Sequence, residues 1–322
     1  MKAIIYEKYG SPDVLRLGEV AKPVPGQGQV LIKVQAAAVN PYDWHFMRGE
    51  PYFMRMMVGL RAPKRNQLGL DFAGQVEAVG SGVTEFQPSD EVYGMADGAF
   101  AEYVLCAEKQ LARKPASLSF EEAAAVPLAA VTALQGLRNV GEIQPGQRVL
   151  IVGASGGVGT FAVQLAKHFG AHVTGVCSTR NLEMVRSLGA DEVIDYTQTD
   201  FTQTGQTYDL VFTLGGMDSP ARCRRALTPT GRLVMCSGDS NGRVIGPLGR
   251  MISAAILDRF VDQPLLSLNV RRSKADLEEL ADLIDAGKLT VTIERTYPLS
   301  ATPAAIAHVE KGHTRGKVVL TL

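Results

Sequence analysis

Neither sign of charge is in excess in this chain of 322 residues: 33 Lys and Arg balance 33 Asp and Glu. A broad positive field for nucleic acid or an anionic membrane surface is therefore excluded as a driving force. No apolar run approaches the roughly 18 residues of a membrane span. The N-terminus, Met1–Tyr6, enters a strand-like pattern directly and lacks the apolar segment of a signal peptide. Cysteine is scarce and scattered, at Cys106, Cys177, Cys223 and Cys236, with no Cys-x-x-Cys spacing. That argues against a disulfide framework and for reduced thiols in a cytoplasmic protein. Internal repeats and low-complexity segments are absent. The length suits two domains, each with a core of its own.

What is present centres on Arg148–Thr160. The apolar run Val149–Val152 suits a parallel strand covered on both faces. The glycine spacing Gly153-x-x-Gly156-x-x-Gly159 follows, and then a helical apolar pattern from Thr160 to Ala166. Strand, glycine-rich turn and helix in that order form a cradle for a dinucleotide pyrophosphate: Gly153 makes the tight turn and Gly156 lets backbone N–H groups reach the phosphates. Gly159 lets the helix pack on the strand. Ser155, Gly156, Gly157 and Val158 are the expected contacts at the helix N-terminus, whose unpaired N–H groups attract anions. Further strands are expected at His172–Cys177, Asp191–Asp195, Tyr208–Leu214 and Gly231–Cys236, with a helix over Asn181–Leu188. Strands alternating with helices predict a doubly wound parallel sheet, with ligand across the strand ends at Ser178, Leu214, Cys236 and Ser237.

The end of the second strand bears on the cofactor. A site for NAD places Asp or Glu there to accept from the ribose 2′-hydroxyl. Here the residues are Cys177-Ser178-Thr179-Arg180-Asn181. A hydroxyl and a guanidinium, with Tyr196 nearby, suit a 2′-phosphate and favour NADPH over NADH. Arg180 as an ordinary solvated residue is the alternative.

The segment before this unit has a different texture. Strand-like stretches Gln29–Ala36, Gly74–Gly80, Glu91–Gly94 and Ala101–Val104 are joined by Gly/Pro-rich turns, which predicts an antiparallel, partly barrelled module. A helix over Glu121–Leu137 leads into the nucleotide unit. An amphipathic helix over Lys274–Lys288 and strands at Thr290–Ile293 and Lys317–Leu322 close the chain. The expected organisation is a substrate domain at 1–120, a nucleotide domain at 121–272, and a segment at 273–322 returning to the substrate domain, with a cleft between the two.

Several motifs together resemble the zinc-independent quinone oxidoreductases of the medium-chain dehydrogenase/reductase superfamily. They are Asn40-Pro41-Tyr42-Asp43, Gly69–Gly74, Ala124–Pro127 with Thr132-Ala133, the glycine turn, Leu188–Asp191 with Asp195-Tyr196, and Gly312–Leu320. The resemblance spans essentially the whole chain in order. It implies a GroES-like module beside a Rossmann domain, NADPH as cofactor and reduction of quinones or related electrophilic carbonyl compounds. It also implies cofactor contacts from Asn40, Gly316 and Lys317, and allows a homodimer. A catalytic zinc needs three protein ligands, but Asn40, Leu70 and Leu128 stand where the zinc enzymes carry theirs, and Glu85–Phe100 lacks the cysteines of a structural zinc loop. His45 alone is near the first position. No metal is expected.

Without a Lewis acid, a conjugated carbonyl is the easier hydride acceptor, because its developing charge is delocalised. Asn40 and Tyr42 are the candidates for orienting or protonating it, with Tyr52 a further one and packing the alternative for Tyr42. Asp43 is expected to organise its loop through backbone N–H groups. The methionine-rich stretch Met47, Phe53, Met54, Met56, Met57 and Leu60 either covers an apolar substrate or packs on its own domain. Two other functions fit the same residues: an NADPH-binding structural or sensor protein, and an enoyl-thioester reductase using Arg61, Lys64 and Arg65 for coenzyme phosphates.

Overall fold

Buried positions fill eight of the eleven places in the strand Gln29–Val39, and the sheet around it organises the first unit. The computed structural model describes residues 1–215, 219–236, 246 and 248–322. These form two compact units, Met1–Val131 with Arg272–Leu322, and Thr132–Arg271.

In the first unit the mainly antiparallel sheet runs Ile293–Pro298, Lys317–Thr321, Gln29–Val39, Asp71–Val79, Glu91–Met95, Leu111–Arg113, with Tyr103–Ala107 also paired to Gln29–Val39. Ile32, Val34, Phe72, Val92, Phe100, Leu111, Ile306 and Leu320 form much of its core. Two register pairs position everything that follows: Val318 lies opposite Val39, and Ala38 opposite Asp71. Residues 40, 71 and 317, distant in sequence, are thereby brought to one end of three adjacent strands.

The helix expected over Glu121–Leu137 is divided. Pro127 has no N–H to donate, and the chain forms Phe120–Ala124, then Pro127–Leu134, then a wider turn at Gln135–Val140. The first of these packs on strands Gln29–Val39 and Asp71–Val79, which keeps the segment past residue 120 within the first unit. The strand expected at Thr290–Ile293 begins only at Ile293 and runs to Pro298.

The second unit is a parallel sheet in the order Glu192–Asp195, His172–Cys177, Arg148–Val152, Tyr208–Thr213, Leu227–Met235, Leu265–Ser267. The chain starts in the middle, winds to one edge, and returns to wind to the other. That is the doubly wound dinucleotide-binding order, with its switch point beside Arg148–Val152. The helix Gly157–His168 follows the first strand, with Gly156 as its N-cap.

Candidate active site

The nucleotide cradle belongs to the second unit. Gly153 turns the chain at φ +87°, and a Cβ on Gly159 would lie 2.1 Å from the Gly153 carbonyl oxygen. Only glycine lets the helix approach the strand so closely. The Gly153 and Ala154 N–H groups both donate to the Val176 carbonyl, at 3.0 Å each, locking the turn to the second strand. Ser155, Gly156, Gly157 and Val158 are half-buried. In front of Gly156 the space is open, with the Gly153 oxygen at 3.6 Å its nearest neighbour. The N-terminus of a twelve-residue helix, with open space at its N-cap Gly156, suits a phosphate group.

At the end of the second strand, Ser178 is half-buried, Arg180 is exposed and Tyr196 is 54% exposed. Leu214 and Cys236 continue the adjoining strand ends, through Leu214 N–H to Val152 and Cys236 N–H to Thr213, at 2.9 Å each. Ser237 lies outside the described residues. Two groups here were given no role from the sequence. Asp195 sits opposite Cys177 on the neighbouring strand. Its oxygens accept from the Thr179 hydroxyl and from the Thr197 N–H and hydroxyl, which lower its pKa. Asn181, buried, donates from Nδ2 to the Ser155 hydroxyl at 3.0 Å and the Ser178 hydroxyl at 3.3 Å. An Asn three residues after the strand-end Ser is the signal that could have drawn notice.

The second cluster belongs to the first unit and is buried. Asp43 accepts from the Asn40 N–H at 2.8 Å and the Gly69 N–H at 3.1 Å. It ties the start of helix Pro41–Arg48 to the loop before strand Asp71–Val79, the organising role expected of it. Burial pushes its carboxyl up to about 7, against the pull of those two N–H donors. Asp71 accepts from the Leu128 N–H at 3.1 Å and from Asn40 Nδ2 at 3.0 Å. Lys317, expected on the cofactor itself, directs its ammonium inward, 2.5 Å from Asn40 Oδ1 and 3.5 Å from Asp71. Burial lowers the Lys317 pKa and raises that of Asp71, and each opposes the shift of the other. Gly316 immediately precedes this buried ammonium.

Asn40 is thus fully engaged as a donor. Its second Nδ2 hydrogen goes to the Ala38 carbonyl at 3.2 Å, so only one lone pair of Oδ1 remains free. It can accept one hydrogen bond and donate none. Tyr42 differs: half-buried beside the Phe46 ring at 4.2 Å, its hydroxyl has no partner among the described residues. Burial pushes it up to about 12, so the phenol keeps its proton throughout the neutral range. His45 donates from Nδ1 to the Glu50 carbonyl, 2.9 Å away, and stacks on Trp44. Leu70 is buried, and among the described residues no three His, Cys, Asp or Glu side chains gather to hold a metal ion. The methionine-rich stretch is divided between the core and the surface. Met47 is in the core, while Met56, Met57 and Leu60 are exposed and Tyr52 is 41% exposed. Arg65 is committed to Asp97.

Known proteins complete the description. Residues 26–116 match the alcohol dehydrogenase GroES-like domain, and residues 188–320 match the family described as zinc-binding dehydrogenase. A mitochondrial NAD(P)H oxidoreductase of Mus musculus, RTN4IP1, is 34% identical over 100% of this chain and 89% of its own length. A chloroplastic quinone-oxidoreductase homolog of Spinacia oleracea is 34% identical over 99% of this chain and 98% of its own. The chloroplastic NADPH-dependent alkenal/one oxidoreductase of Arabidopsis thaliana is 35% identical over 99% and 79%. Among solved structures, the quinone oxidoreductase of Coxiella burnetii superposes with a TM-score of 0.86 at 33% identity, covering 100% of this chain and 99% of that one. That of Escherichia coli complexed with NADPH gives 0.85 at 28%, covering 100% of both. The chain belongs to the quinone oxidoreductase family of the medium-chain dehydrogenase/reductase superfamily. It is an oxidoreductase with a GroES-like module and a Rossmann domain.

Proposed function

We propose that the chain is an NADPH-dependent, zinc-independent reductase that transfers hydride to quinones or α,β-unsaturated carbonyl compounds. The observation that carries this reading is the cluster around Lys317. Where a zinc enzyme of the superfamily sets its ligands, this chain has Asn40, Leu70 and Leu128, and a buried ammonium already supplies positive charge beside Asn40 and Asp71. A second cation there would be repelled, and Leu donates nothing to a metal. An acceptor that delocalises its own negative charge suits such a site.

The cofactor supplies a hydride from nicotinamide C4. Ser155, Gly156, Gly157 and Val158 receive the pyrophosphate, while Ser178, Arg180 and Tyr196 receive the 2′-phosphate. Leu214, Cys236, Ser237 and Gly316 complete the binding set. Asn40, held by Lys317, offers its one free lone pair to a hydroxyl of cofactor or substrate. Tyr42, protonated at neutral pH, donates to the enolate or phenolate oxygen as charge develops there. A homodimer is part of this reading. Edge strand Leu265–Ser267 follows a helix, Leu248–Asp258, with exposed Ile252 and Ile256, and Phe260 beyond it is 80% exposed. A reducing compartment, with cytoplasmic placement, accords with four free cysteines. No helix of the described residues is long and apolar enough to cross a membrane.

The test is a panel of acceptors followed by loss of NADPH absorbance. 9,10-Phenanthrenequinone and alkenals should be reduced, and ethanol and 2-propanol should not be oxidised. Alcohol oxidation with no turnover of any quinone or enone would overturn the assignment.

A further inference from the structure

Asn181 is an expensive residue to keep. Its side chain is buried, and its Oδ1 has no hydrogen-bond partner among the described residues. A buried carbonyl left unpaired is destabilising, and a leucine, with the same branching and number of side-chain heavy atoms, would avoid that. Turning the amide over does not help, since two N–H hydrogens would then be the unpaired atoms and the serines would have to donate to it. The retained asset is the pair of bonds from Nδ2 to Ser155 and Ser178.

Those bonds fix hydroxyl direction. A serine hydroxyl has one hydrogen and two acceptor positions. When it accepts from Asn181, its own hydrogen is released for another acceptor. Neither Ser155 nor Ser178 donates that hydrogen to any described residue, and both are half-buried, with a surface to face outward. Ser155 lies in the pyrophosphate turn and Ser178 at the 2′-phosphate end of the second strand. One nitrogen therefore feeds both anion positions.

We propose that Asn181 is a positioning residue that turns the Ser155 and Ser178 hydroxyls outward as donors, coupling the pyrophosphate and 2′-phosphate subsites of one 2′-phosphorylated adenine dinucleotide. This rests on the NADPH reading above and adds to it a specificity determinant that does not touch the ligand. An aspartate at this position would accept from the same hydroxyls, draw their hydrogens inward and present lone pairs to the phosphates. Coupling follows from the shared nitrogen: loss of one serine changes how firmly the amide is held against the other.

The experiment is equilibrium binding of NADPH, NADH and adenosine 2′,5′-bisphosphate, by calorimetry, to wild type, Asn181→Leu and Asn181→Asp. Asn181→Leu should weaken NADPH and the bisphosphate about tenfold and NADH about threefold, narrowing the preference. Asn181→Asp should weaken NADPH about a hundredfold. A purely structural tether would weaken all three ligands alike, and that result, or no change beyond twofold, overturns the proposal. Wild type binding NADH as tightly as NADPH would instead overturn the NADPH reading and the proposal with it. Should both Asn181 variants fail to fold, a cycle of Ser155→Ala and Ser178→Ala decides in an otherwise native cradle. A departure from additivity in NADPH affinity of threefold or more supports the coupling, and smaller departures refute it.

Discussion

Replacing Lys317 with methionine tests the buried cluster most directly. Methionine keeps the length and apolar stem of lysine, so the change removes charge with little change in shape. Asp71 would then be left as a fully buried carboxylate with no cation, 3.5 Å from where the ammonium had been. At an effective dielectric of about 20, that pair is worth up to about 5 kcal/mol. Relief of the cost of burying the lysine offsets part of it, while Asn40 Oδ1 loses its 2.5 Å donor. Breaking a buried pair by removing one partner costs about 3–5 kcal/mol, and about 3 is expected here. Asp71→Asn should cost a similar amount: whichever way the new amide turns, its NH2 meets a donor, from Leu128 or from Asn40. The double variant should be more stable than the two losses sum to, by about 2 kcal/mol, since neither charge is stranded. Trp44, the single tryptophan, lies on the helix that Asn40 opens, so its fluorescence during urea unfolding reports this unit. A loss below about 1 kcal/mol for Lys317→Met, or additivity within about 0.5 kcal/mol, would refute the reasoning.

Three further outcomes are expected. Arg180→Ala should raise the Kd for NADPH about tenfold, through a lost charge-assisted contact of about 1.5 kcal/mol, and leave NADH nearly unchanged; equal weakening of both would place Arg180 off the 2′-phosphate. Tyr42→Phe keeps the ring and should lower kcat by roughly 10²–10⁴ with KM little changed if the hydroxyl is the general acid, and a fewfold fall in stopped-flow turnover would assign it to packing. Asp43 carries a pH signature: its folded value of about 7 exceeds the usual carboxylate value of about 3.9. The unfolded chain releases that proton first, so the stabilisation is complete below about pH 4, declines as pH rises to about 7, and is level above. The stability difference between wild type and Asp43→Asn, read by Trp44 fluorescence, should shift across that window, and a constant difference would exclude Asp43 as the titrating group.

The nucleotide unit was legible because its signals are local. An apolar run, glycines at fixed spacing and a helical pattern lie within twenty residues, and strand order follows from the alternation of elements. The closing strand was missed over most of its length because Glu294 and Arg295 give it the look of a loop, while its pairing with Lys317–Thr321 is decided by a partner twenty residues on. Asn40 and Lys317 were both picked out, yet their mutual contact was not, because it is set by register across three strands. Asp71 was read only as part of the Gly69–Gly74 motif, beside Leu70 at a missing metal-ligand position, and not as a partner of Asn40 and Lys317. An acid opening the otherwise apolar run Asp71–Ala73 was the available clue, since a carboxylate fully buried needs a donor or a cation. Asn181 stayed hidden because an asparagine after a strand reads equally well as an ordinary cap.

The place of Lys317–Thr321 between two other strands, with Gln29–Val39 on one side, has a consequence for how the chain comes into being. Within this sheet Lys317–Thr321 is made after all the other strands, and the first unit has no complete sheet until it emerges from the ribosome. The second unit, Thr132–Arg271, is one continuous stretch and can fold while the remaining residues are still being made. The unit that holds the earlier-made strands is thus the later to finish. Its early strands must wait with an open edge, and the seat of Asn40 is completed only when Lys317 arrives.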